Sequence, residues 1–143
     1  MKWSYALPLS IPADSGRVNF SLDSVEVFKN SDPSDVVFSA RLMKENTLLS
    51  ENLLYFVPAK KLKLTPPLLS FSIGSAEGQT ILQLESKTLA KTVFIDFGDS
   101  KVELSDNYLD LLPGLKKSMV IKSNLSSDEL TKLIKVKSLV DTY

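Results

Sequence analysis

The residues of this chain best suited to chemistry are its carboxylates. Asp106 and Asp110 stand close together inside Leu104-Ser105-Asp106-Asn107-Tyr108-Leu109-Asp110-Leu111-Leu112-Pro113-Gly114, and Asp23 and Glu26 form a second close pair. Two carboxylates held about 5 to 9.5 Å apart across a sugar can hydrolyse a glycosidic bond, one donating a proton while the other attacks or activates water. Proximity alone does not mark either pair as such a device, and each has a structural reading. Asp106 precedes Asn107 in a turn-prone run where a short polar side chain caps local N–H groups, and Asp110 lies between apolar neighbours where it would face water. No catalytic residue is assigned in this chain.

Other chemistries are limited by composition. With no His and no Cys, the chain cannot build a Ser-His-Asp or Cys-His triad, a His or thiolate zinc site, a redox CxxC or a disulfide. No cofactor and no metal are expected. Seventeen Lys and Arg balance seventeen Asp and Glu, so no overall field draws in nucleic acid or an anionic membrane. The local basic clusters, Lys60, Lys61 and Lys63 and then Lys132, Lys135 and Lys137, suit solvated strand edges better than phosphate sites. The run Ser72-Ile73-Gly74-Ser75 lacks the spacing and the Lys of a phosphate loop.

Aromatic residues offer the remaining binding chemistry. Trp3, the sole tryptophan, and Tyr55, with Tyr5 and Phe56 beside them, could supply rings on which a sugar stacks. The competing reading is that such rings pin strands to a core. Tyr108 likewise has two structural readings, a hydroxyl returned to the backbone as a tyrosine corner, or a ring filling the core.

The elements that would position these residues read as strands. Val18, Phe20 and Leu22 alternate with polar residues, and Val25 and Val27 resume in the opposite phase, which predicts a bend near Ser24 within strand. Val36, Phe38, Ala40 and Leu42 alternate again. A short apolar run from Leu53 to Val57 follows, and the Lys and Leu of residues 60–64 alternate as an exposed edge would. Leu69, Phe71 and Ile73 predict a hairpin with Ile81, Leu82 and Leu84 across a Gly-bearing connector. Val93, Ile95 and Phe97 predict a second with Val102 and Leu104 across Gly98-Asp99-Ser100. Pro113 presets the second position of a type II turn and Gly114 accepts the positive φ of the third, predicting a hairpin end that runs into residues 116–122. Ser126 with Glu129 has capping-box spacing, so one short helical turn is expected over residues 127–132, and Ile134 and Val136 suggest a last strand.

About seven to nine strands at short, even spacing imply an all-β antiparallel sandwich with immunoglobulin-like topology, a closed barrel being the other arrangement that the periodicity allows. The 143 residues fit one domain, 1–143, long enough to bury roughly 68 to 70% of the unfolded surface. Residues 3–12 hold Ser4, Pro8 and Ser10 and offer no unbroken apolar run, so they do not read as a signal peptide. Nothing approaches the ~20 apolar residues of a membrane span. The segment reads as soluble, and its compartment is left open.

The stretch from Ser105 to Gly114 resembles the Ser-Asp-Asn-Tyr-Phe-Asp-Leu-Leu-Pro-Gly signature of the C-terminal immunoglobulin-like domain of glycoside hydrolase family 2 β-mannosidases. Asn52-Leu53-Leu54-Tyr55-Phe56-Val57 is similar to that family's Asn-x-x-Tyr-Phe strand, and Leu89-Ala90-Lys91-Thr92-Val93-Phe94 to its Leu-Ala-Lys-x-Val-Phe pattern. Leu104 and Leu109 stand where Phe is common, and Leu115 where an acidic residue usually follows Pro-Gly. The resemblance implies a non-catalytic accessory sandwich, part of a larger retaining glycoside hydrolase that removes terminal β-D-mannosides. Its acid/base and nucleophile glutamates would lie on a (β/α)8 barrel of about 250 residues. Asp106, Asn107, Tyr108, Asp110, Pro113 and Gly114 carry over as a structural signature only. The implied partners are the catalytic and other domains of the same polypeptide. An independent carbohydrate-binding module, taking a manno-oligosaccharide on Trp3 or Tyr55, or a fibronectin-like adhesion domain is the alternative class.

Overall fold

A computed structural model describes residues 4–29 and 31–142 of the chain; Trp3 lies outside the described residues. The fold divides into two compact units, Met1–Lys61 and Leu62–Tyr143.

In the first unit, the bend expected near Ser24 opens a helix, not a second stretch of strand. The side chain of Asp23 accepts a hydrogen bond from Val25 N at 2.8 Å and caps helix α1 (Ser24–Phe28), with Glu26 in the first turn. A capping carboxylate and an acidic first turn outweigh the β preference of Val25 and Val27. Both acidic residues of this pair therefore have a helix-start role. Asp32 caps the 3-10 turn Pro33–Asp35 in the same manner, accepting from Ser34 N. Strands β1 (Val37–Lys44) and β2 (Thr47–Tyr55) then form an antiparallel hairpin, in register from Val37↔Tyr55 to Lys44↔Thr47 with a bulge between Leu42 and Met43. The Lys-Leu edge strand expected from residue 60 is instead begun by a 3-10 turn, Ala59–Lys61, in which Pro58 O accepts from Lys61 N at 2.8 Å.

The second unit is an antiparallel sandwich of a four-stranded and a three-stranded sheet. The first sheet has the order β3 (Leu69–Ala76), β4 (Gln79–Ser86), β8 (Lys117–Lys122), β6 (Glu103–Leu104). The second has the order β7 (Leu109–Leu111), β5 (Ala90–Asp96), β9 (Lys135–Lys137). The β3–β4 hairpin forms as expected, with Phe71 opposite Leu84 and Ile73 opposite Leu82. Its tip residues Glu77 and Gly78 both have positive φ, the backbone that a right-twisted two-residue hairpin requires.

The other two predicted hairpins are corrected. After β5 the chain leaves its sheet, and β6 pairs with β8; after β7 the Pro113-Gly114 turn sends β8 to pair with β4. Both connections are arches between sheets. Each flanking strand presents its apolar residues to the same interior from opposite sides, so the alternation that suggests partners in one sheet is satisfied by facing sheets. Leu82, Leu84, Met119 and Ile121 face Val93, Ile95, Leu109 and Leu111 across the core. Helix α2 (Ser127–Leu133) closes one end with fully buried Leu130, and carries the expected capping box between Ser126 and Glu129.

Candidate functional site

The signature region lies on the three-stranded sheet, where β7 runs beside an irregular β5. Ala90 pairs with Leu111 and Val93 with Leu109, so Lys91 and Thr92 together oppose the single residue Asp110. This bulge is what lets Ala90 and Val93, which would point to opposite faces of a regular strand, both enter the core. Thr92 occupies the left-handed region at φ 50, and its N–H is turned away from the ladder.

Asp110 repairs that break. One carboxylate oxygen accepts from Thr92 N at 2.7 Å and the other from Lys91 Nζ at 2.8 Å. Its side chain is 16% exposed, so it does not face water as the sequence reading expected. The alternation placed it outward correctly, but the bulge brings Lys91 and a free N–H over it.

Asn107 repairs a second break. Continuing the register from Val93↔Leu109 would set residue 107 opposite Ile95, yet β7 begins only at Leu109. The Asn107 amide takes the place of backbone: Oδ1 accepts from Ile95 N and Nδ2 donates to Ile95 O, both at 2.9 Å. Oδ1 also accepts from Tyr108 N, and Asp106 Oδ1 accepts from Asn107 N at 2.8 Å. Asp106 is thus the local cap expected of it.

Tyr108 departs from both of its structural readings. It is 65% exposed, which rules out core filling, and among the described residues its hydroxyl has no backbone partner that would make a corner. Its φ of 57 turns the ring outward onto Phe94, centroids 4.9 Å apart and nearly parallel. Pro113 and Gly114 occupy the middle of a turn closed by Leu115 N donating to Leu112 O, with Gly114 at φ 72. Gly114 N also donates to Ser86 O at 2.8 Å, which ties the arch to β4.

These contacts leave the signature carboxylates engaged with backbone and Lys91. An open hollow of about 250 Å³ lies beside Asn107, lined by Asp96, Ser100, Val102 and Leu104 among others. Its one acid, Asp96, accepts from Gly98 N at 2.8 Å and shapes the turn after β5. Tyr55 lies elsewhere, half-buried at the end of β2 opposite Val37. The region brings together Asp106, Asn107, Tyr108, Asp110, Pro113 and Gly114. Their counterparts Lys91, Thr92, Phe94 and Ile95 were not singled out as site residues, although the Ala90-to-Val93 phase slip was a readable sign of the bulge.

Two family descriptions match the chain: an Ig-fold domain of mannosidases over residues 64–142 and a mannosidase Ig/CBM-like domain over residues 2–61. No curated protein matches. Among solved structures, the chain is similar to a β-D-mannosidase from Dictyoglomus thermophilum, with TM-score 0.64 and 25% sequence identity over 72% of this chain. The match spans 13% of that longer chain. Its second unit is a four-plus-three sandwich clamped by Asn107 and Asp110, and on that fold together with the match over 64–142 the chain belongs to the Ig-fold domain family of mannosidases.

Proposed function

We propose that the chain is an accessory portion of a larger β-mannosidase-like glycoside hydrolase of family 2. In this reading its partners are the other domains of the same polypeptide, and it stabilises or shapes the catalytic part. The observation that carries it is the engagement of the signature: Asp106, Asn107 and Asp110 are held by backbone N–H groups, a backbone carbonyl and Lys91. Such residues preserve a fold and leave no carboxylate pair aimed at a substrate. The chemistry then belongs to two carboxylates outside this chain, on a (β/α)8 barrel, acting with retention through a glycosyl-enzyme intermediate.

An antibody against residues 62–143, used on a lysate of the source, tests the parent reading. A band several times larger than 15.8 kDa that co-purifies with aryl β-mannosidase activity supports it, and a band at 15.8 kDa overturns it. NMR of the first-formed sugar then tests the mechanism: β-configured product supports retention, α-configured product overturns it. The 143-residue chain alone is expected to leave aryl mannosides intact, and turnover that survives repurification would contradict the accessory role.

A further inference from the structure

The two sheets of the second unit end in four edge strands, and one is unlike the rest. β6, β7 and β9 have two, three and three residues, and each carries charge: Glu103, then Asp110, then Lys135 with Lys137. Short, charged edges resist the addition of further strand. The fourth edge, β3, runs for eight residues as Leu-Ser-Phe-Ser-Ile-Gly-Ser-Ala, without charge or proline, and its pairing with β4 has no bulge. Among the described residues no strand pairs with its other side. A long, uncharged edge of this kind is a template for another strand.

The side chains agree. Leu69 and Ile73 pack against the core, and helix α2 lies against β3. Phe71 shares their inner face, opposite Leu84, yet is 41% exposed, and Leu68 just before the strand is 62% exposed. On the outer face stand Ser70, Ser72, Gly74 and Ala76, all exposed. Gly74 is required neither by a positive φ nor by packing, since a Cβ there would meet nothing within 4 Å. A bare backbone inside a strand suits close approach by another backbone.

Which strand fits follows from what β3 offers. A foreign peptide added to a sheet edge is selected by pockets for its alternate side chains, and a row of small, uncharged residues gives such side chains little to be read by. A second β3 matches the row. Two copies related by a twofold axis pair antiparallel, and partners then share a face. Small residues meet small residues outside, and Leu69, Phe71 and Ile73 of both copies lie together inside. Charge agrees as well. Antiparallel pairing carries the exposed Glu77 tip of one copy to the start of the other's β3, two strand spacings, about 10 Å, from Lys87. Lys87 is exposed and is fixed there by its N–H, which donates to Leu68 O at 3.3 Å. The balanced charge of the chain sets up no overall repulsion between copies. We propose that β3 is a self-association edge, pairing antiparallel with β3 of a second copy of this chain across a twofold axis near Ser72.

Sedimentation velocity on the 143-residue chain tests this from about 1 to 300 µM, the range in which a small interface dissociates. The mass should rise from 15.8 kDa toward twice that value and stop there. Ser72→Lys sets two ammonium groups face to face at the axis, on a position already exposed, and should hold the mass at 15.8 kDa at every concentration. Leu42→Lys, at an exposed site of the first unit, should leave association unchanged. Hydrogen exchange on the unaltered chain frees the test from any variant's folding: amides of residues 69–76 should slow by roughly ten-fold between the ends of that range, with β7 and β9 unchanged. A mass fixed at 15.8 kDa would overturn the proposal, and β3 amides protected in a larger native polypeptide would then name a parent segment as the occupant. Association that survives Ser72→Lys with the fold intact, or that protects amides outside β3 instead, would overturn it by placing the interface elsewhere. Growth past twice the mass would overturn the closed pair.

Discussion

The two units differ in how they use the same kind of sequence. Both are rich in alternating apolar residues. In the second unit the alternation closes on itself: Leu82, Leu84, Val93 and Leu111 are at most 1% exposed, and every buried hydrophobic side chain among the described residues lies there. In the first unit no described residue is buried, and most of the large exposed hydrophobics, from Leu7 to Leu54, belong to it. Alternation specifies that a face is to be covered. Whether the cover is present depends on a facing sheet, which local periodicity does not encode.

That contrast can be broken most directly by cutting the chain. Residues 62–143 expressed alone should unfold in one cooperative urea transition, and residues 1–61 alone should give none; a cooperative transition in the shorter fragment would erase the distinction. Truncation of single side chains sharpens it next. Leu82→Ala should cost about 2 to 5 kcal/mol, whereas Leu54→Ala, at a half-exposed site, should cost within about 0.5 kcal/mol. Equal losses in denaturant titrations would place the two residues in equivalent environments.

Within the second unit, Asn107→Ala should cost about 1 to 3 kcal/mol, because it orphans Ile95 N and O together. Asp110→Ala should cost less, about 1 kcal/mol, since Thr92 N can turn to water and the Lys91 pair is partly screened. Exchange at the Thr92 and Ile95 amides reports each loss locally. The smallest expected effect is on acid stability. Hydrogen bonds from the Ser126 side chain, and then from its backbone, hold the Glu129 carboxyl below its ordinary value; at Asp141 the Ser138 backbone N–H acts first and its hydroxyl second. A depressed folded pKa adds stability that is present above the unfolded value, near pH 4, and disappears as pH falls through the folded one. Glu129→Gln with Asp141→Asn should therefore flatten the loss of stability below about pH 4 and leave its slope near pH 7 unchanged.

Much of the second unit was legible in the residues. Ser126 and Glu129 announced a helix start, the Gly74-to-Gly78 connector a hairpin, though only Glu77 and Gly78 of it form the turn, and Leu82 and Leu84 a core strand. The arches were not, because Gly98-Asp99-Ser100 and Pro113-Gly114 reverse the chain equally well within a sheet or between sheets. The site was half legible. Asp106 showed its capping role through its neighbours, while Asp110 and Asn107 act on a bulge and a missing strand residue that exist only once β5 and β7 are side by side. In the first unit Asp23 overrode the β-branched residues after it, and the Val18-Phe20-Leu22 alternation forms no β-ladder among the described residues, Phe20 stacking on Tyr5.

The Glu77–Gly78 turn has a further consequence, in the order of events. Of the strand pairs in the sandwich, only β3 and β4 are joined by a tight turn; β4 must find β8, and β5 must find β9, across long intervening stretches of chain. Closing those loops is the slow part of building any such topology and puts it in the range of milliseconds to seconds, whereas a hairpin closes in about 1 to 10 microseconds. The β3–β4 hairpin is thus the one piece of the four-plus-three sandwich that can assemble quickly and wait. A residue at position 78 that resists positive φ would therefore be felt as a delay in refolding as well as a loss of stability.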